Sequence, residues 1–244
     1  MAEIVREPYA VVYREESGFK DVYGGAGGHV FVECMRIAPA ASPSKRVIVF
    51  SHPVGGGSFL PLVTALAKAG HPVIYVNPRY RGNDSALIME KCVADLGAAL
   101  KDAKTRFGYE QIILGGWSGG GSLSLFYQDQ AETPTITHTP AGDAYDLTAM
   151  NLPQVDGIML LAAHISRAMT LTEWIDPSIT DEARPFDRDP DLDIYNPANP
   201  NQPPYDDAFV ARFRAAQVAR AERALRLPGA TAATIAQRAL NWAE

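Results

Sequence analysis

Ser118 stands in Gly116-Trp117-Ser118-Gly119-Gly120, a G-x-S-x-G pattern. The apolar run Gln111-Ile112-Ile113-Leu114-Gly115 precedes it, and Ser122 to Gln130 follows with a sequence able to form a helix. A serine hydroxyl attacks acyl carbon when a base takes its proton, and a strained strand-to-helix turn lifts Oγ clear for that attack. Crowding of strand against helix at such a turn admits little beyond glycine at 116 and 120. In a chain with 20 glycines the bare spacing is weak, and a glycine-rich strand end would give it too, so its weight comes from the segments around it.

Two such segments come earlier in the chain. Arg46-Val47-Ile48-Val49-Phe50 reads as a buried strand that empties into Ser51-His52-Pro53-Val54-Gly55-Gly56-Gly57-Ser58. Pro72-Val73-Ile74-Tyr75-Val76 reads as another, followed by Asn77-Pro78-Arg79-Tyr80-Arg81-Gly82-Asn83-Asp84-Ser85. In this order, over roughly residues 8 to 165, the three signatures resemble the α/β-hydrolase superfamily, with Pro53 where the family usually has glycine. The resemblance implies an α/β-hydrolase fold: a mostly parallel sheet, helices on both faces and a cap-like helical region after the sixth strand. It implies Ser118 as nucleophile of an acyl-enzyme, and an oxyanion hole made by the backbone N–H groups of Val54 and Gly119. Gly55 and the glycines after it would let backbone approach the substrate. His52 belongs to the same loop, as part of the substrate-binding set or as a ring that orients the loop by hydrogen bonding. Trp117 and Phe59 suggest an apolar pocket and hence a hydrophobic carboxylic ester, with no cofactor. Thioesters, amides, lactones and β-diketones are open to the same machinery.

The elements that would position these groups are legible as periods. Tyr9 to Arg14 and His29 to Ile37 alternate as antiparallel strands about the turn Gly24-Gly25-Ala26-Gly27-Gly28. Helical stretches at Leu60 to Ala69 and Ile88 to Phe107 separate the buried strands, and Gly157 to Ala162 gives a sixth strand. Alternating strands and helices place ligands beyond the carboxyl ends of a parallel sheet, where Val54, Ser118 and His164 fall. Arg79 and Arg81 either bind an acidic substrate group or pair with nearby carboxylates and carbonyls. Residues 176 to 207, crowded with proline and aspartate, read as an ordered but irregular excursion or a linker. Asp206 or Asp207 would cap a helix over Ala208 to Arg226, whose arginines 212, 214, 220, 223 and 226 form a solvated face or part of a cap. Pro228-Gly229 stops it, and Thr231 or Thr234 starts a last helix towards Trp242. The division expected is a core over 1–170 and a cap-like segment over 171–244.

Composition bounds the rest. With 244 residues, 47% of them hydrophobic, the chain can bury a full core, and a net charge of −6 argues against nucleic acid as partner. No run of 18 apolar residues suggests a membrane span, and Met1 to Pro8 is too charged for a signal peptide, so cytoplasm is the expected location. Cys34 and Cys92 read as buried thiols, and no metal-ligand cluster is visible. The partner expected is a small ester-like substrate.

The base is the difficulty. The superfamily orders its triad as nucleophile, acid, histidine, with the last two after a seventh and an eighth strand, and neither strand is legible here. The histidines are His29, His52, His71, His138 and His164, and the 80 residues after His164 hold none. Three readings compete. The chain is the amino-terminal piece of a longer hydrolase, with acid and histidine on a second chain. Or His164 is the base, oriented by Asp143, Asp146 or Asp176. Or the chain is an inactive binding module that uses its pocket for a ligand or partner, with an unfinished sheet edge that would favour pairing with another chain.

Overall fold

The computed structural model describes residues 3–15, 28–40, 44–82, 87–140, 142–164 and 166–225. Its elements are β1 (Ile4–Arg14), β2 (His29–Pro39), β3 (Arg46–Ser51), α1 (Pro61–Lys68), β4 (Val73–Asn77), α2 (Met89–Phe107), β5 (Gln111–Trp117), α3 (Gly119–Glu132), β6 (Gly157–Leu161), α4 (Arg167–Trp174) and α5 (Asp207–Leu225). One six-stranded sheet runs β1-β2-β4-β3-β5-β6, antiparallel through the first three and parallel from β4 onward. Order and direction are those of the α/β-hydrolase fold over six strands.

Side-chain period explains the layers. In β2, Val30, Val32 and Cys34 are buried while His29, Phe31 and Glu33 face out, and all five residues of β4 are buried because that strand has a sheet neighbour on each side and helices above and below. Within β4, Ile74 and Val76 pack with Cys92, Val93 and Leu96 of α2 and with Leu123 and Tyr127 of α3. Val73 and Tyr75 face the other way, against Val63 and Ala67 of α1. Helices therefore cover both faces. β1 begins at Ile4, earlier than Tyr9, because Ile4 pairs with Pro39, and Pro8 is accommodated on an edge strand, where its missing N–H breaks no ladder. Helix α3 begins at Gly119, three residues before the expected Ser122, since the strand-to-helix turn at Ser118, the nucleophile elbow of the sequence expectation, itself leads into its first turn. Both cysteines are buried thiols outside any disulfide, and burial pushes the Cys34 thiol up to about 12.

Arg79 is a core residue. Its guanidinium, 2% exposed, pairs with Glu15 and Asp95, each at 2.8 Å. It also donates to Tyr13 Oη at 2.7 Å, while its backbone N–H donates to Asp95 Oδ2 at 2.9 Å. Tyr13 donates to Asp95 at 2.7 Å and Tyr145 to Glu15 at 2.5 Å. This network ties β1, the loop after β4, α2 and the 145 loop together. Arg81 pairs with Glu33 at the surface. Of the two roles open to these arginines, pairing is the one the structure shows.

The chain separates into two units, one ending at Ile165 and one beginning at Ser166. In the second, residues 176–207 are a chain of Asx turns and not a linker. Asp176, Asp181, Asp189, Asp193, Asn196 and Asn199 each accept the N–H two residues on, at 2.8 to 3.1 Å. Aspartate, asparagine and proline are frequent there because the local fold is built from turns. Asp206 caps α5 through the N–H of Phe209 at 2.7 Å. The arginine stripe is in part internal and not a free solvated face: Arg220 grips Glu182 through two hydrogen bonds of 3.0 Å, and Arg223 donates to the carbonyl of Ile179 at 2.7 Å. The glycine turn at 24–27, Asn83 to Ser85, Arg226 and the helix expected after Thr231 lie outside the described residues.

Candidate active site

Strand β5 delivers Ser118 and α3 leaves from it. Ser118 has φ 54° and ψ −126°, a conformation that costs a non-glycine residue about 1 to 3 kcal/mol and persists only where its surroundings enforce it. The enforcement is visible. A Cβ on Gly116 would lie 2.2 Å from the carbonyl oxygen of Gly120, and one on Gly120 would lie 2.2 Å from that of Ser51. Both collisions are with backbone, so neither residue can be larger.

The end of β6 completes the turn. Ser118 donates its N–H to the carbonyl of Leu161, and His164 donates its own N–H to the carbonyl of Ser118, both at 3.2 Å. Ser122 Oγ donates to the carbonyl of His164 at 3.2 Å. Between these anchors Ala162 takes φ 44°, which folds the chain back over the start of α3. The outcome is a hydrogen bond of 2.9 Å between Ser118 Oγ and His164 Nε2. With the proton of the imidazole on Nδ1, Nε2 accepts from the hydroxyl, which is the geometry of a serine and its general base.

The loop after β3 faces the elbow from the side. Gly55, at φ 65°, closes a turn by donating to the carbonyl of His52 at 2.8 Å, and Gly56 donates to Asn77 Oδ1 at 2.8 Å. Gly55 and Gly57 serve close approach to neighbouring side chains. A Cβ on Gly55 would lie 2.8 Å from Asn77 Oδ1, and one on Gly57 would lie within 2.5 Å of the Tyr75 ring. Val54 donates its N–H to Nδ1 of His52 at 3.3 Å, a long hydrogen bond that assigns the ring proton to Nε2. That Nε2 lies 3.3 Å from where a Cβ on Gly119 would be, so the loop and the first turn of α3 meet at His52. Trp117, half exposed, stands beside Ser118 in the chain with its ring 6.2 Å from that of His52. Phe59 is exposed and lies under the Arg6 guanidinium at 5.1 Å.

Of the residues singled out by sequence, Ser118 and His164 are hydrogen-bonded, Gly119 and Trp117 flank Ser118 in the chain, and His52, which accepts from Val54, lies against both of them. Asp146 and Asp176 are committed to their own turns, accepting from Thr148 and Ser178, and Asp143 lies in an exposed turn with Thr139. Sequence reasoning missed Gly121, Ser122 and Ala162, which hold the β6 end against α3. The unexplained third glycine after Ser118 was the one signal for them. A cavity of about 810 Å³, lined by Val11, Tyr13, Ala98, Lys101, Tyr145 and Met150 among others, contains none of the residues of the site. Among the described residues no group of three or more His, Cys, Asp or Glu side chains could hold a metal ion, and no helix is long and apolar enough to cross a membrane.

No family model matches the chain, and no curated protein matches it in sequence. Solved structures similar to it include a bacterial heroin esterase, 18% identical with a TM-score of 0.44 over 69% of this chain and 48% of that one. Esterase B from Lactobacillus rhamnosis is 16% identical, TM-score 0.40, over 65% of this chain and 49% of that one. A structure from work on two fungal esterases of Rhizomucor miehei is 17% identical, TM-score 0.42, over 66% and 45%. The chain thus spans about half the length of these proteins.

Proposed function

We propose that this chain is a serine hydrolase that cleaves a carboxylic ester of a hydrophobic small molecule through an acyl-enzyme on Ser118, with His164 as its base. The observation that carries this reading is the 2.9 Å contact between Ser118 Oγ and His164 Nε2 at a strained elbow. Oγ attacks the ester carbonyl while Nε2 takes its proton. The oxyanion that forms accepts from the N–H of Gly119 and from that of Val54, which exchanges its long bond to His52 for a stronger one to a full negative charge. Collapse breaks the bond to the alcohol oxygen, and the imidazolium returns the proton to that oxygen. Water, deprotonated by the same nitrogen, then releases the acid and restores Ser118. Trp117 supplies the apolar surface that favours a hydrophobic ester.

A fluorophosphonate probe tests the nucleophile, because an activated serine displaces its fluoride and keeps the phosphonyl group. Intact-mass and peptide analysis should find one adduct, on Ser118, and none in Ser118→Ala. Unmodified wild-type protein, or unchanged p-nitrophenyl butyrate hydrolysis by Ser118→Ala, would overturn the proposal.

A further inference from the structure

The three glycines that follow Ser118 do different work. Gly119 and Gly120 belong to the elbow, where Gly120 touches the backbone of Ser51. Gly121 does not. A Cβ at 121 would lie 2.2 Å from the Cβ of Ala163 and 3.2 Å from its Cα, with Leu160 Cδ2 next at 3.5 Å. The methyl of Ala163 occupies the space a side chain at 121 would need.

From this we infer that Gly121 is a positioning residue for the base: the seat of Ala163 on Gly121 sets how far the His164 ring reaches towards Ser118. The inference rests on the Ser118–His164 reading above. The segment on either side of Ala163 is fixed to the elbow, through Leu161 and Ser118 before it and through the N–H and C=O of His164 after it. Ala163 has no χ angle with which to swing aside. A methyl at 121 must therefore displace residues 162–164 as backbone, and the ring of His164 moves with them. Ala162, already at φ 44°, has little further backbone freedom with which to absorb the shift. Gly116 and Gly120 make the turn possible, whereas Gly121 admits the strand end that carries the histidine.

Four variants measured with p-nitrophenyl butyrate and with the fluorophosphonate decide this: Gly121→Ala, Ala163→Gly, both together, and His164→Ala. A displacement of about 1 Å costs on the order of 100-fold in rate, so Gly121→Ala should lower kcat and the labelling rate by about 10- to 100-fold with KM little changed. Ala163→Gly alone, which leaves both backbone anchors of the segment in place, should cost far less than Gly121→Ala, and the double variant should recover most of the loss, because the added methyl then enters the vacated space. Recovery is the readout that a general destabilisation of α3 would not give. If Gly121→Ala does not fold, Ala163→Val, which presses on the same contact from the other side, must show the same fall in kcat. Full activity in Gly121→Ala, or a double variant as slow as Gly121→Ala, would overturn the inference. Should His164→Ala keep wild-type activity, the Ser118–His164 reading itself fails. An inactive His164→Ala beside a fully active Gly121→Ala would leave that reading standing and remove only the role of Gly121.

Discussion

Replacing His164 with alanine should leave a folded protein that hydrolyses p-nitrophenyl butyrate about 10⁴- to 10⁶-fold more slowly, a loss as large as that from Ser118→Ala. The size follows from chemistry: a neutral serine hydroxyl is a weak nucleophile, and its proton needs somewhere to go as the bond to carbon forms. His164 Nε2 sits at hydrogen-bonding distance for that transfer. The other ring at the site is differently occupied. His52 accepts the N–H of Val54 at Nδ1, and its Nε2 faces Gly119. His138 is hydrogen-bonded to Thr137 in an exposed turn, and His29 and His71 are exposed. If serine and base act as one unit, as proposed above, Ser118→Ala combined with His164→Ala should be no slower than either alone, and a further hundredfold fall in the double variant would contradict the pairing. Circular dichroism of His164→Ala should match wild type, since the anchors of this residue are its backbone N–H and C=O, which alanine keeps. Turnover within tenfold of wild type would remove His164 as base.

Why His164 was only one of three options from sequence, while Ser118 stood out at once, is a matter of range. The elbow is a local object in sequence: strand, serine, glycines and helix are contiguous, even though the carbonyl that forbids a side chain at Gly120 comes from distant Ser51. So are the buried strands, which continuous β-branched runs announce, and the sheet they form appears as expected apart from a longer β1 and an earlier start to α3. The proposed base, His164, is non-local. Its placement depends on β6 pairing in parallel with β5, on a positive φ at Ala162, and on two backbone hydrogen bonds across 43 and 46 residues of chain, from Ser118 N–H to Leu161 and from His164 N–H to Ser118. None of these leaves a pattern in composition or period. For residues 176–207 two readings, ordered irregular excursion and linker, stayed open for the opposite reason. Each Asx turn is local, but proline and aspartate at high density also describe a linker, and only the hydrogen bonds distinguish the two. Arg79 belongs with the base: an arginine two residues after a buried strand carries no sign that Glu15, Asp95 and Tyr13 converge on it.

That convergence sets the largest effect expected on stability. Asp95→Ala should lower the free energy of unfolding by about 3 to 5 kcal/mol, read from urea denaturation at pH 7, because it leaves the Arg79 guanidinium buried with one of its two carboxylates gone. It also strips the N–H of Arg79 and the hydroxyl of Tyr13 of their acceptor. The network is sensitive to pH through Glu15. Burial opposes ionisation of this carboxyl, but the hydrogen bonds and charge of Arg79, with the hydroxyl of Tyr145, outweigh it and hold the group below the usual carboxylate range. A carboxyl whose pKa is lower folded than unfolded stabilises the fold fully above its unfolded value, and the contribution disappears as pH falls through the folded one. Wild-type stability should therefore be level near neutral pH and decline on acidification, and Glu15→Gln should remove part of that decline. Where the cost of Asp95→Ala falls below about 1 kcal/mol, water must reach Arg79, and the network would then be a surface ion pair in energy if not in position. The kcat of the Asp95→Ala protein that remains folded should be unchanged. None of Glu15, Asp95, Tyr13 or Tyr145 takes part in the hydrogen bonds among Leu161, Ser118, Ser122 and His164 that hold the reacting groups, so the fold and the reaction can be perturbed one at a time.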